Sequence, residues 1–170
     1  MKGHADETAD RPVLTPAERI DATSRAGDAG LDDFLCFTVY SANHAFNRAY
    51  QRLLDALGLT YPQYLVMWSL WRADGQTVGE LAGHLDLESS TLTPLIKRLE
   101  AIGLVSRRRS IEDGRQVHVF LTGEGQALEA KAAAVPVAIA AATGLDRPAA
   151  QRLREDMTRL RRTLRAAGLD

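Results

Sequence analysis

The sequence lacks the features that mark several classes of protein. Its 170 residues contain one cysteine, Cys36, which excludes an intrachain disulfide and a multi-cysteine metal site. No apolar run approaches the roughly 18 residues that a membrane-spanning helix needs, and the N-terminus lacks the apolar segment of a secretory signal. The four histidines have no ligand spacing, and neither a glycine-rich phosphate loop nor a Ser/His/Asp set is present. These absences predict a cytoplasmic protein that is not an enzyme, does not contact a membrane and needs no metal or other cofactor.

An excess of positive charge is also missing. Lys and Arg number 21 against 22 Asp and Glu, a formal net charge of -1. This balance excludes a uniformly basic DNA-binding protein, but it permits a local basic patch. Residues 1–30 are acidic, contain proline and glycine, and have few large apolar side chains, so they are predicted to form a mobile extension. Residues 95–115 and 147–165 are instead rich in arginine.

Apolar residues recur at helical spacing through most of the remaining chain. The pattern predicts helices from Asp32 or Asp33 to about Leu57, from Pro62, from Thr77 to about His84, from Ser89 to about Ala101, from Thr122 to Thr143, and from Asp146 to about Ala166. Pro136 predicts a kink, whereas Pro94 is expected to be tolerated because it lies close to the first turn of its helix. Between these helices the periodicity falls to two, and residues 104–109 and 116–121 flank the turn Glu112-Asp113-Gly114. The sequence therefore predicts a mainly α fold with a small β-hairpin.

The order of these elements is typical of a winged helix-turn-helix, predicted here over residues 61–121. Its second helix would enter a DNA major groove, and the hairpin would form the wing. The candidate DNA-binding residues are Ser89, Ser90, Thr91, Thr93, Lys97 and Arg98 on this helix, and Arg107, Arg108, Arg109, Asp113 and Arg115 on the wing. Each residue alone also fits a helix cap or a solvated basic face. The two helices, the hairpin and the basic side chains in this order favour DNA.

Several segments resemble the organic hydroperoxide-sensing repressors, the OhrR-type branch of the MarR family. They are Leu35-Cys36-Phe37 with Tyr40-Ser41-Ala42, residues 57–67, residues 91–100, and Arg107-Arg108-Arg109-Ser110 with Glu112-Asp113. The resemblance is strongest from about Leu31 to Gly125, and it does not cover the first 30 residues. Glu88-Ser89-Ser90 departs from an Asp-Ser-Gly-like triplet that is common in the family, which predicts a shifted operator preference.

The resemblance implies a homodimer that binds palindromic double-stranded operator DNA as a repressor. Residues 31–60 and 122–170 would supply the dimerisation helices. An organic hydroperoxide would oxidise Cys36 to the sulfenic acid, and Tyr40 and Tyr50 would hydrogen-bond the reduced thiol. Because the chain has no second cysteine, the resemblance implies a mixed disulfide with a low-molecular-weight thiol, followed by release of the DNA.

The residues themselves leave the role of Cys36 open. A lone cysteine beside Leu35 and Phe37 is commonly an inert small hydrophobe. The start of a helix would favour its thiolate, whereas the acidic residues just before it would oppose the negative charge. Tyr50 lies fourteen residues further on, roughly 21 Å along a straight helix, so it could reach the thiol only from another subunit. For Tyr40, one turn after Cys36, contact within the chain and contact across a dimer both remain open.

Three other functions compete with a peroxide-responsive repressor. A MarR-type regulator could bind a phenolic ligand between its helices, with Cys36 incidental. A small thiol peroxidase would use Cys36 catalytically, but it would need an alternating strand–helix pattern that the sequence lacks. A dimeric interaction module without DNA binding would leave the basic wing unexplained.

Overall fold

The computed structural model describes residues 30–111 and 113–168. It contains seven α-helices and two strands in these ranges: α1 (Leu35–Leu54), α2 (Tyr61–Arg72), α3 (Val78–Leu85), α4 (Ser89–Ala101), β1 (Val105–Arg109), β2 (Val117–Leu121), α5 (Gly123–Ala132), α6 (Ala134–Ala142) and α7 (Arg147–Ala166). Short 3-10 turns, Leu31–Asp33 and Asp55–Leu57, flank α1. The mainly α fold with a β-hairpin is confirmed. The predicted mobile extension lies outside the described residues, apart from Gly30.

Polar side chains start the helices where the sequence predicts. The hydroxyl of Thr77 accepts a hydrogen bond from the Glu80 N–H at 3.1 Å, and the Glu80 carboxylate accepts one from the Thr77 N–H at 2.7 Å. Thr122 and Asp146 each accept from the N–H three residues further on, at 3.0 and 2.7 Å. Each bond satisfies an N–H that the first turn of a helix leaves free. The predicted starts of α3, α5 and α7 are therefore confirmed.

The structure refines two predictions about proline. The helix predicted from Thr122 to Thr143 is divided into α5 and α6, with Ala133 between them. Proline has no N–H and its ring crowds the carbonyl four residues earlier, so Pro136 disrupts the helix at Ala132. Pro94 lies in the second turn of α4, close to the first turn, and the helix continues past it to Ala101.

The β-hairpin pairs β1 with β2 in antiparallel register, from Val105 opposite Leu121 to Arg109 opposite Val117. Val119, at its centre, is fully buried, and its N–H donates a hydrogen bond to the Gln76 carbonyl at 2.8 Å. The residues just before α3 thus pair with β2 as a short third segment beside the hairpin. This contact joins the hairpin to the helix-turn-helix.

The chain divides into two units between Ala45 and Phe46. The second unit has one apolar core, to which α2, α3, α4 and the hairpin all contribute. The fully buried side chains include Leu54, Val66, Met67, Leu70, Leu81, Leu92, Ile96, Leu99, Val105 and Val119. This core fixes the positions of α4 and the hairpin, on which the predicted DNA contacts lie.

In the first unit, the described residues bury no side chain, although α1 carries a regular apolar pattern. Phe34 and Leu35 are 50% and 59% exposed. Phe37 is half-buried. The apolar side chains at the start of α1 therefore stay largely uncovered within one chain.

No single helix among the described residues is long and apolar enough to cross a membrane. Only a pair bent by 93°, Gly123–Ala142 with Arg147–Ala166, reaches the required length and composition together.

Candidate nucleic-acid interface and cysteine site

Helix α4 presents a polar side because its apolar residues are used in the core. Leu92, Ile96 and Leu99 are fully buried. The exposed side carries most of the helix residues predicted to contact DNA, namely Ser89, Ser90, Thr91, Lys97 and Arg98, with Thr93 half-buried. Hydroxyl groups at the start of this side can donate and accept hydrogen bonds.

Two of these hydroxyl groups already donate hydrogen bonds within the chain. The Thr93 hydroxyl donates to the Ser89 carbonyl at 2.7 Å, and the Ser90 hydroxyl donates to the Glu88 carboxylate at 3.1 Å. Their oxygens remain able to accept from a base amino group or to face a phosphate through water. The side chains of Ser90 and Thr93 are therefore oriented before any ligand binds.

The wing arginines differ in what they contact. Arg107 forms an ion pair with Glu100 at 2.7 Å, and its backbone N–H donates to the same carboxylate at 3.1 Å. The hydrogen bond from Arg107 holds the pKa of Glu100 below its usual range. The Arg108 guanidinium lies 4.9 Å from the centre of the Phe120 ring, a cation–π contact. These two arginines therefore have partners in the protein, and Arg107 ties the wing to the end of α4.

The tip of the wing is shaped by Asp113. Its carboxylate accepts from the Arg115 N–H at 3.0 Å and from the Gln116 amide at 3.2 Å, and its own N–H donates to the Ser110 hydroxyl at 3.2 Å. Such bonds from an aspartate to its following residues are typical of tight turns. Arg109 and Arg115 are exposed on either side of this turn and form no ion pair with a described residue. Asp113 thus supports the turn, while Arg109 and Arg115 present exposed cations that no described residue pairs.

An open groove of about 620 Å³ lies between α3, α4 and the wing. Its polar lining includes Thr77, Glu80, Ser89, Thr93, Arg107 and Arg115. The groove therefore brings the start of the exposed side of α4 together with the wing. This is the concave surface that a nucleic-acid backbone would follow in a winged helix-turn-helix.

Cys36 is the second residue of α1 and is exposed. Tyr40 is one helical turn further on, 60% exposed, and its ring meets the edge of His44 at 4.4 Å between centroids. No described residue forms a hydrogen bond with the Cys36 thiol. The Asp33 carboxylate accepts from the Gly30 N–H at 3.0 Å and so caps the preceding turn. The site therefore consists of an accessible thiol at a helix start, with Tyr40 one helical turn further along the same helix.

Tyr50 lies in an aromatic cluster of the second unit. Its ring is 4.2 Å from that of Tyr61 and 6.1 Å from that of Tyr64. Burial, together with the neighbouring tyrosines, raises the pKa of Tyr50 to about 12. Tyr61 was not singled out from the sequence, although it lies within one of the matched segments, just before Pro62. Its contact with Tyr50 joins residues eleven apart, which helical periodicity does not reveal.

The tyrosine cluster predicts loss of stability in alkali. A phenol is neutral when protonated, and its raised pKa means that the folded state holds the proton more tightly than the unfolded state does. The contribution of neutral Tyr50 to the free energy of unfolding is therefore complete below pH 10, and it decreases as the pH rises from about 10 to 12. Urea denaturation across this range should show a smaller decrease for Tyr50→Phe than for wild type. An equal decrease in both proteins would contradict the assignment to Tyr50.

A core-packed helix-turn-helix, an exposed polar side on its second helix and a basic wing define a winged helix-turn-helix DNA-binding protein. The MarR family model matches residues 59–117, which include α2 and extend into β2. Over 144 residues the chain is 45% identical to the HTH-type transcriptional regulator TtmR of Methylorubrum extorquens, covering 85% of this chain and 74% of that one. The chain belongs to the MarR family of transcriptional regulators.

Two further relatives are informative. The organic hydroperoxide resistance transcriptional regulator of Bacillus subtilis is 43% identical over 106 residues, which cover 62% of this chain and 72% of the relative. The structure of reduced AbfR bound to DNA matches with a TM-score of 0.68 and 36% identity, over 82% of this chain and 96% of that one. AbfR, from Staphylococcus epidermidis, is also known in overoxidised and disulfide forms. TtmR and the Bacillus protein are named as transcriptional regulators, a class distinct from enzymes.

Proposed function

We propose that this protein is a homodimeric repressor that binds palindromic operator DNA and releases it when an organic hydroperoxide oxidises Cys36. The observation that carries this proposal is the place of the thiol. Cys36 is accessible and lies in an apolar segment that the single chain leaves uncovered. The name of the Bacillus relative and the disulfide form of AbfR support a redox role for the cysteine. Overoxidised AbfR is bound to DNA in its structure, so we assign the release to the mixed disulfide rather than to oxidation of the sulfur alone.

The proposed dimer would cover apolar surfaces at both ends of the chain. Leu31 and Leu35 are 66% and 59% exposed before and at the start of α1, and Leu153 and Leu164 are 45% and 53% exposed on α7. Exposed apolar side chains grouped on one helix commonly mark an interaction site in a folded protein. A second copy of the chain, packed through these helices, would bring a thiol from each subunit to the interface.

The proposed switch is a two-electron oxidation followed by a condensation. The Cys36 thiolate attacks one peroxide oxygen, the O–O bond breaks, and the remaining alkoxide takes up a proton and leaves as an alcohol. The sulfenic acid then condenses with a low-molecular-weight thiol, forming a mixed disulfide and one water. The bulkier sulfur at the dimer interface would change the relative placement of the two DNA-binding regions and so lower operator affinity.

Operator binding in two redox states tests this proposal. Fluorescence anisotropy with DNA from upstream of the protein's own gene should show tight binding by reduced protein. Treatment with an organic hydroperoxide plus a small thiol should cause release. Binding should weaken steeply with salt, because the phosphate contacts release counterions. The repressor proposal fails if reduced protein binds no palindromic fragment, and steady peroxide turnover with a thiol reductant would favour the enzyme instead.

A phenolic ligand is a second candidate effector, because the second unit has an apolar groove of about 550 Å³. Its apolar lining includes Phe46, Leu145, Leu153 and Met157. Arg147 and Arg154 also line the groove, and either could form an ion pair with a carboxylate or phenolate. Release of operator by a phenolic acid under reducing conditions, with no response to peroxide, would establish this alternative.

The wing arginines are expected to differ in their contribution to DNA binding. Arg109→Ala and Arg115→Ala should each weaken operator binding by about 5- to 10-fold and reduce the salt slope by about one, because each removes an exposed cation that no described residue pairs. Arg108→Ala is the matched control, since its guanidinium already stacks on Phe120. Anisotropy titrations at several salt concentrations would measure both quantities. Equal losses of operator affinity in all three variants would refute this distinction between Arg108 and the other two arginines.

A further inference from the structure

The turn between α3 and α4 contains a backbone conformation that glycine usually adopts. Asp86 has a φ of 59° and a ψ of 41°, and it is the only non-glycine residue with a positive φ among the described residues. Asn and Asp tolerate this left-handed region better than most residues do, but still at some cost. Asp86 lies three residues before Ser89, the first residue of α4. The conformation of this turn therefore determines the direction of α4 relative to α3.

The Asp86 side chain contacts the C-terminal helix. One carboxylate oxygen is 3.4 Å from the Arg161 guanidinium, and the other forms an ion pair with Arg165. The two arginines are four residues apart and therefore lie on the same side of α7. The two contacts span 75 and 79 residues of sequence. We call these three residues the Asp86 clamp.

Within the part of the chain that the structure describes, the clamp supplies the side-chain ion pairs between α7 and the helix-turn-helix. Among the described residues, the other ion pair of α7, between Arg159 and Asp156, stays within that helix. A single exposed ion pair contributes little, but here two cations share both oxygens of one carboxylate. Arg165 also lies in the last turn of α7, where the helix dipole favours a positive charge.

We propose that Asp86 is a positioning residue for DNA binding: clamped by Arg161 and Arg165, it sets the orientation of α4 through the C-terminal helix. The inference rests on the proposed DNA-binding function and adds a residue that does not itself touch DNA. Because α7 carries part of the apolar surface assigned to the dimer, the clamp links that surface to the helix that contacts DNA.

The direction in which DNA affinity changes when Asp86 is neutralised distinguishes this proposal from direct repulsion between the carboxylate and the phosphates. An acidic side chain near a DNA-binding surface repels phosphates, so its neutralisation ordinarily strengthens DNA binding. The clamp predicts the opposite result for Asp86→Asn. Asparagine has nearly the same size and tolerates the left-handed region, so this substitution removes the charge and leaves the turn intact.

The experiment measures operator affinity of the reduced full-length protein. Asp86→Asn and the double variant Arg161→Ala/Arg165→Ala should each weaken binding by about 3- to 10-fold, a range typical of directly coupled residues. Combining them should add little, because both changes remove the same contact. The controls are Glu129→Gln, which neutralises an exposed acid on α5, and Arg162→Ala, which removes a neighbouring cation on α7.

Two further measurements exclude other roles. The salt slope of Asp86→Asn should equal that of wild type, because no phosphate contact is lost. Its melting midpoint should stay within about 2 °C of wild type, as expected for a small change at an exposed site. Binding by Asp86→Asn that equals or exceeds wild type would overturn the clamp proposal. Failure of wild type to bind any operator would instead overturn the proposed function, and the clamp's role in DNA binding with it.

Discussion

Replacing Cys36 with serine should abolish peroxide-driven release of operator DNA while leaving the reduced protein's affinity within about twofold of wild type. Serine is close in size but is not oxidised by peroxide, so the variant stays in the DNA-binding state. In wild type the same treatment should weaken binding by about 5- to 150-fold, the usual range of coupling between two sites. Anisotropy titrations before and after treatment with an organic hydroperoxide plus a small thiol would measure both values.

In mass spectrometry, the mass of the treated chain should show that this change in affinity accompanies modification of the Cys36 sulfur. Treated wild type should gain the mass of one thiol less two hydrogens per chain, and Cys36→Ser should gain nothing. Ser41→Ala, an exposed change on the same helix, is the matched control and should respond like wild type. If Cys36→Ser still releases DNA on treatment, the sensor lies elsewhere and the redox part of the proposal is wrong.

Gly125→Ala is expected to cause a large loss of stability. A Cβ atom at this buried position would lie 2.0 Å from the Leu104 carbonyl oxygen, a backbone atom that cannot move independently. The Gly125 carbonyl also accepts a hydrogen bond from the Trp71 indole at 2.9 Å, so a shift of α5 would weaken that contact as well. Overpacking of a core typically costs about 1–3 kcal/mol, and a backbone clash belongs at or above the upper end of that range. Urea denaturation would measure the change in the free energy of unfolding.

Gly123 supplies the control for this prediction. It lies two residues earlier in the same helical turn, and nothing is within 4 Å of a Cβ atom placed there. Gly123→Ala should be neutral or stabilise the protein by up to about 1 kcal/mol, since alanine is the better helix former. Similar effects of Gly123→Ala and Gly125→Ala would show that helix propensity, rather than close packing on Leu104, governs this segment.

The parts of the fold that local sequence determines could be predicted well. Thr77 and Asp146 each start a helix by binding an N–H three residues away, a relation visible in the sequence. The bounds of α4 agree with the predicted Ser89 to Ala101. Pro136 indicated a kink, but the pattern alone did not show that the helix would divide.

Contacts between distant residues could not be predicted in the same way. The run of wing arginines gave no sign that Arg107 is paired with Glu100, because that contact depends on how β1 packs against the end of α4. The clamp at Asp86 joins residues more than seventy positions apart, and no alternation or helical period encodes it. Composition and spacing identify the residue types at the candidate site, whereas tertiary packing decides which of them remain free for a ligand.

The hydrogen bond from Val119 to the Gln76 carbonyl has a consequence for how this protein can diversify. It anchors β2 from outside the hairpin, so the strand does not depend on the connecting turn alone for its alignment. Insertions or replacements between Ser110 and Gln116 would therefore change the length and charge of the tip without moving Val119 from the core. The tip can accept new sequence at little cost in stability, which offers a route by which descendants of one scaffold could acquire different DNA targets.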